Sequence, residues 1–281
     1  MPKISRRQFL YGSAMSVAAA AMELKANPLR RPLGCQTYPL GASIGKDFEG
    51  TLRQIAAGGY RMIEMCSPRG YVKAGYGPLV KMKASEIRRL IHGAGLGCES
   101  CHFQFRELKE NLDESLAYAR ELGLRQMIVP TFGLRPDATM ADWDQAAEEL
   151  SQIGEKMQRT GIQLGFHNHN HEFKEIDGVL IYDELMKRLD PKLVKMQFQV
   201  AVISLGYDAV TYLTKYPGRF ISLHLVDWSA EQKKIVPIGE GSIDWKRLFA
   251  AARTGGIKNY FVEMDWDLMR ASVPYLQKLK A

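Results

Sequence analysis

The run Gly165-Phe166-His167-Asn168-His169-Asn170-His171-Glu172-Phe173 places three of the chain's six histidines at alternate positions and follows them directly with a carboxylate. On an extended strand, side chains at i, i+2 and i+4 share one face. The spacing therefore projects His167, His169 and, where the strand continues, His171 to the same side. Neutral imidazole is both a good metal ligand and a base near neutral pH. A row of imidazoles closed by an acid suits metal binding or proton transfer. The plain alternative is a solvated polar edge strand, and the distribution of polar residues along the rest of the chain decides between the two.

Short β-rich runs alternate with longer amphipathic stretches. Strands are expected at 32–37, 61–65, 97–103, 126–132, 163–169, 194–200, 220–227 and 259–265, with helical patterns between them such as 47–57, 85–94, 108–122, 140–159, 182–189, 208–215 and 243–252. Glycines at 58–59, 95, 123, 161 and 255–256 precede strands, as helix C-terminal caps do. Eight strand–helix units in succession predict an α/β protein built as a single (β/α)8 TIM barrel over residues 28–281. A doubly wound open sheet is the competitor, but no glycine-rich phosphate loop follows the first strand.

In such a barrel the chemistry sits at the C-terminal ends of the strands, and polar residues gather there. The first strand ends at Gln36, the second carries Glu64 and the third ends at His102. The fifth ends in the histidine run and the sixth in Gln197-Phe198-Gln199; His224 and Asp227 close the seventh, and Glu263 and Asp265 the eighth. A merely solvated rim would favour Lys, Ser and Asp over His, Glu and Gln.

Residues 1–27 read as something other than barrel. Arg6-Arg7 precedes a mild apolar run from Phe9 to Met22, too short for a stable membrane anchor. The pattern is that of a Tat-type export signal, which implies handling by the Tat export machinery and a periplasmic or secreted mature chain. Four basic residues against one acid in this segment account for part of the +7 formal charge, which leaves +4 on the remainder. That modest balance argues against nucleic acid as a partner. Four cysteines in an oxidising compartment invite disulfides. Cys98 and Cys101 are too far apart along a strand to pair, while Cys35 with Cys66 stays open.

The segments FHNHNHEF, YDAVTYLTKYPGR (207–219), HLVDW, IGEGSIDW and FVEMDW together resemble the xylose isomerase-like TIM barrels, a group described broadly as sugar phosphate isomerases and epimerases. The resemblance implies a divalent metal held by Glu, Asp, His and Glu from strands five to eight. Carried onto this chain, those positions fall on His167, Gln199, His224 and Glu263. Two of the four depart from the family pattern. Replacing two carboxylates leaves the loaded site more positive, which favours Zn, Mn or Co over Mg and strengthens it as an electrophile. Gln199 can ligate only through a neutral amide oxygen, and His169 or Glu172 is available to supply a missing ligand.

With His167 in place of a glutamate, a symmetrical two-carboxylate epimerisation loses one partner. A single-base scheme is expected instead, with Glu263 removing a proton next to a carbonyl and His169 or His102 relaying it. That chemistry serves isomerisation or epimerisation, and equally a lyase or hydratase acting on a 3-keto glycoside. Gln36, Glu64, Glu172, Asp227 and Trp266 are the candidate substrate contacts, with Tyr38, Phe103 and Trp228 also near strand ends. Glu240 in the loop after strand seven opposes a phosphate, and Ser242 reads as the cap of the next helix. A neutral sugar or glycoside is therefore the expected ligand. The rival from another class is a non-catalytic sugar-binding barrel that has lost its metal. An abasic-site nuclease is disfavoured by the charge. The oligomeric state is not legible.

Overall fold

The computed structural model describes residues 30–279; the expected export signal lies outside them. Eight parallel strands close on themselves: β1 (Gly34–Gln36), β2 (Met62–Cys66), β3 (Gly97–His102), β4 (Gln126–Val129), β5 (Gln163–His167), β6 (Val194–Gln199), β7 (Phe220–Leu225) and β8 (Asn259–Val262). Each pairs with its neighbours in sequence, and β8 returns to β1. The strands are almost wholly buried, as parallel strands covered on their outer face must be. Around them lie α1 (Gly41–Lys46), α2 (Phe48–Ala57), α3 (Ala84–Gly93), α4 (Phe105–Leu122), α5 (Met140–Met157), α6 (Ile181–Arg188), α7 (Ala209–Lys215), α8 (Trp245–Gly255) and α9 (Trp266–Lys278). The expected (β/α)8 barrel is the observed fold.

Helix ends follow local chemistry. Asp47 and Asp244 cap α2 and α8 by accepting from Gly50 and Arg247 N–H groups, and Thr139 with Asp142 forms a capping box on α5. Gly123 and Gly256 end α4 and α8 in the left-handed region, at φ of 89° and 92°, where a side chain would be strained. Ser242 is not the cap expected for α8. Its hydroxyl accepts from Ala230 N–H and Asp244 does the capping. No helix among the described residues is long and apolar enough to cross a membrane.

Two register shifts shape the barrel interior. Between β2 and β3 the pairing moves from Ile63↔Cys98 to Glu64↔Ser100, and between β6 and β7 from Met196↔Phe220 to Gln197↔Ser222. Each inserts one extra residue, Glu99 and Ile221, and so re-aims the residues that follow. The serines come to lie opposite Glu64 and Gln197. All four cysteines are buried free thiols, which closes the question over Cys35 and Cys66, and burial pushes the Cys98 thiol up to about 12.

Candidate metal centre and active site

Glu64 is the hub of the barrel interior. Its carboxylate has no exposed surface. Oε1 accepts hydrogen bonds from Ser100 Oγ at 2.5 Å and Gln197 Nε2 at 2.8 Å, and Oε2 accepts from Gln36 Nε2 at 3.0 Å and His224 Nε2 at 2.5 Å. His102 Nε2 lies 3.1 Å from the same Oε2 and 2.8 Å from Gln197 Oε1, with its ring stacked on His224 at 5.3 Å. Gln197 Nε2 also reaches Ser222 Oγ at 2.8 Å. The two register shifts are thus what seat both serines in this network.

His224 carries its charge between two carboxylates, because its Nδ1 also lies 2.8 Å from Glu263 Oε2. Burial alone would lower its pKa, but Glu263 and Glu64 outweigh that and raise it to about 10. The carboxylates respond in kind. Burial would raise Glu64, yet His102 and His224 hold it well below the usual carboxylate range; burial opposes His224 at Glu263 too, and the net shift there is downward.

His167 stands apart from this well-bonded network. Its side chain is buried, 4.3 Å ring to ring from His224, and neither ring nitrogen has a hydrogen-bond partner. Burial, reinforced by the imidazoles of His224, His169 and His102, keeps it neutral. An unpaired buried polar group is costly, and a divalent ion would satisfy it. The ligand atoms of His167, His224 and Glu263 all fall within 4.8 Å of one another. These residues fit a metal, with His224 offering Nδ1 because Glu64 holds its Nε2, the carboxylate–imidazole–metal arrangement that fixes a ligand's tautomer. A second trio, Glu64, His102 and His224, is equally close. It fits less well, because four donors already occupy the Glu64 oxygens. Glu64 also alters the expected charge: with Glu263 it supplies two carboxylates against a divalent ion, so the loaded site is near neutral rather than positive.

The remaining expected site residues divide. Gln199 is adjacent to the trio, but its Nε2 donates to Glu263 Oε2 at 2.9 Å while its Oε1 accepts from Ala201 N–H. As placed it presents a donor, not a lone pair, to the centre. β5 stops at His167, and residues Asn170–Phe173 form a 3-10 turn, so the three histidines do not share a strand face. His169 stays close to His167, with rings 4.7 Å apart. His171 turns away, to lie against Trp143 at 6.0 Å. Glu172 is buried, and its Oε2 accepts from His169 N–H at 2.7 Å.

Asp227 and Trp266 fall outside the network. Oδ2 of Asp227 accepts from Gly239 N–H, Gly241 N–H and Trp245 Nε1 at 2.8, 3.2 and 2.8 Å, which ties down the loop after β7. Trp266 packs against Tyr60 and over Gly58. Among the aromatic residues near strand ends, Phe103 is buried, whereas Tyr38 is 52 % exposed and rests edge-on against Tyr71. The loop bearing Arg69 is anchored, with Tyr71 buried and Arg69 paired to Glu114. Sequence reasoning missed Ser100, Ser222 and Asn168, whose Oδ1 accepts from Gln199 N–H. Each is an ordinary polar residue until barrel closure brings it to its partner.

A closed parallel barrel with a histidine–carboxylate centre at the strand ends defines the class of (β/α)8 proteins equipped to hold a metal. The chain belongs to the xylose isomerase-like TIM barrel family, whose model matches residues 52–279. It is 28 % identical over 176 residues to an inosose dehydratase of Geobacillus thermodenitrificans. That match covers 56 % of this chain and 58 % of the dehydratase, so the chain spans little more than half of this relative's length. In three dimensions it resembles a sugar phosphate isomerase/epimerase from Parabacteroides distasonis, with a TM-score of 0.72, 25 % identity, and coverage of 88 % of this chain and 93 % of that one. More distant barrels share the fold alone. One is the IOLI protein with a bound zinc atom, at 12 % identity and a TM-score of 0.60, covering 89 % of this chain and 92 % of that one. Another is a Mycobacterium smegmatis protein in complex with magnesium, at 14 % and 0.61, covering 88 % and 95 %.

Proposed function

We propose that this protein is a metal-dependent carbohydrate enzyme that removes a proton next to the carbonyl of a neutral sugar, glycoside or cyclic polyol ketone. In its lyase form it then expels the β-oxygen; the isomerase or epimerase form returns the proton to carbon. The observation that carries the reading is His167, a buried neutral imidazole with no hydrogen-bond partner, converging with His224 and Glu263. The inosose dehydratase and sugar phosphate isomerase/epimerase relatives support carbohydrate as the substrate class, and the dehydratases favour elimination. Neutral substrates are preferred because Glu240 is exposed on the loop after β7, where barrels of this type often bind phosphate.

His167, His224 and Glu263 would hold the ion, which when bound polarises the substrate carbonyl and acidifies the neighbouring C–H. Glu263 is the base. Its side chain is 19 % exposed, whereas those of Glu64 and His224 are fully buried, and its lowered pKa keeps it ionised. His169 has a pKa lowered by burial, so as an imidazolium it would release a proton readily to the departing oxygen after receiving it from Glu263. His102 is held by Gln197 and Glu64, and its part is to position His224 by stacking. Glu64 locks the His224 tautomer. We further propose, from the twin-arginine segment, that the enzyme works in the periplasm or outside the cell, with the Tat machinery as its export partner.

The test is proton exchange. Protein loaded with Mn²⁺, Co²⁺ or Zn²⁺ is incubated in D₂O with neutral sugars, 3-keto glycosides and cyclic polyol ketones, and products are followed by NMR. Deuterium at one carbon or a new enone is the expected result, lost in Glu263→Gln. The Gln199 amide turned donor-first toward Glu263 favours one second reading, a sugar-binding barrel without catalysis. Ligand binding with no exchange in any ketone would establish that reading in place of the enzyme.

A further inference from the structure

The part of the histidine run that leaves the barrel wall forms a cluster of its own. His169, His171 and Glu172 bring their ligand atoms within 4.8 Å of one another. Glu172 has no exposed surface, and its Oε1 has no hydrogen-bond partner. His171 Nε2 nevertheless stands 2.8 Å from that oxygen. The two atoms are close without being aligned as donor and acceptor. Ligands that each stand 2.0–2.2 Å from one ion are themselves separated by about 3 Å, so the spacing is that of two atoms facing a common third. Nδ1 of His169 is buried and makes no aligned hydrogen bond, although the ring faces the Glu172 N–H in a capping box. The rings of His169 and His171 lie 5.6 Å apart and nearly parallel, at 9°.

The carboxylate is also fixed in advance. Glu172 Oε2 accepts from His169 N–H at 2.7 Å, which turns Oε1 toward the imidazoles. A purely structural turn is served by the capping box that His169 and Glu172 form, the Glu172 carboxylate accepting from His169 N–H and the His169 ring facing the Glu172 N–H. That box does not account for Oε1 of Glu172, buried and left 2.8 Å from Nε2 of His171 with no aligned hydrogen bond, at a cost in stability.

We propose that the turn 169–172 is a second divalent-cation site, distinct from the His167–His224–Glu263 centre and adjacent to it, with two imidazoles and one carboxylate as its protein ligands. That donor set selects an imidazole-preferring ion such as Zn²⁺, Co²⁺ or Ni²⁺ over Mg²⁺ or Ca²⁺. The His171 side chain is 42 % exposed, so the site opens to solvent and leaves room for water or a substrate oxygen. An ion on Nδ1 of His169 would leave the proton on Nε2 and fix that ring as a donor, so the proton relay through His169 belongs to the protein with this second site empty. The inference does not depend on the chemistry proposed for Glu263.

The experiment is a calorimetric titration of the chelator-stripped full chain with Zn²⁺, repeated with Co²⁺ while its visible absorption is recorded. Two equivalents are expected. His171→Asn, at a half-exposed position that tolerates change, should weaken one equivalent at least tenfold and leave the other within twofold. His167→Asn should do the reverse, and Glu172→Gln should match His171→Asn, with melting curves confirming that each variant folds. A single wild-type equivalent untouched by His171→Asn overturns the second site and leaves the first. The same single ion lost in both His171→Asn and His167→Asn also overturns it, because the turn then belongs to the first centre. One ion lost in His171→Asn but kept in His167→Asn upholds the turn site and removes the first centre. No binding at all overturns both.

Discussion

His167 and Glu64 are both buried, yet they make opposite demands on the protein. His167 is neutral and unpaired, so in the metal-free protein it costs stability, by about 1–3 kcal/mol for an unsatisfied buried group. His167→Leu should therefore leave the metal-free denaturation midpoint unchanged or raise it, while cutting metal affinity at least tenfold. A fall in both would mean that His167 is a packing residue with no ligand role. Glu64 is ionised and fully bonded, and removing its charge strands His224 in a dry interior. Glu64→Gln should destabilise the metal-free protein by about 3–5 kcal/mol, as breaking a buried ion pair does. It should also weaken metal binding by about 10–100-fold through the loosened His224 ring. Chemical denaturation and metal titration on the same samples separate the two effects. The histidine at 167 was legible as a candidate ligand from its place at a strand end. The dominance of Glu64 was not, because its four partners come from β1, β3, β6 and β7 and meet only when the barrel closes.

At the scale of elements, alternation of strand and helix was readable throughout, because parallel strands buried on both faces leave continuous apolar runs bounded by capping residues. Where the reading failed, backbone geometry intervened. Alternate spacing implies a shared face only while the chain stays extended; β5 ends at His167, and the next residues fold into a turn. The register shifts at Glu99 and Ile221 leave no mark in composition, yet they decide where Ser100 and Ser222 point. A polar residue at a strand end also has two uses that sequence does not distinguish. Asp227 serves the loop instead of the centre: its carboxylate gathers N–H groups from Gly239, Gly241 and Trp245. Space around it is tight, since a Cβ on Gly241 would sit 2.1 Å from Asp227 Oδ1. Asp227→Ala should cost about 2–3 kcal/mol, the value of hydrogen bonds to a charged group, and should speed amide exchange at Gly239 and Gly241 while β7 stays protected. Mass-detected hydrogen exchange reads that contrast directly.

For the whole molecule, the coupled charges of Glu64, His224 and Glu263 make stability depend on pH. His224 has its pKa raised from an ordinary 6.5 to about 10, so its contribution is complete below 6.5 and is lost as pH rises toward 10. Glu64 and Glu263 have theirs lowered from 4.5, so their contributions are present above 4.5 and are lost as pH falls through the lowered values. His167 and His169 have theirs lowered by burial from 6.5, so they draw stability away as pH falls below that value; the metal-free protein should melt highest near it and lose stability on both sides. A divalent ion held as proposed would take the place of the His224 proton, so metal affinity should fall as pH drops and the loaded protein should show a flatter alkaline limb. Melting curves with and without Zn²⁺ across pH 5–10 test both signs.

The bonding around Glu64 also bears on how such a barrel can change over generations. Gln36, Ser100, Gln197 and His224 each spend a donor on one carboxylate, so a single substitution in this layer leaves several partners stranded, and drift there must move by coordinated pairs. His167, with neither ring nitrogen bonded, can be exchanged at little structural penalty. Single substitutions among the partners of Glu64 should therefore be tolerated less well than substitutions of His167. New reactions on this scaffold would then be expected to start from changes at His167, with the bonding around Glu64 kept.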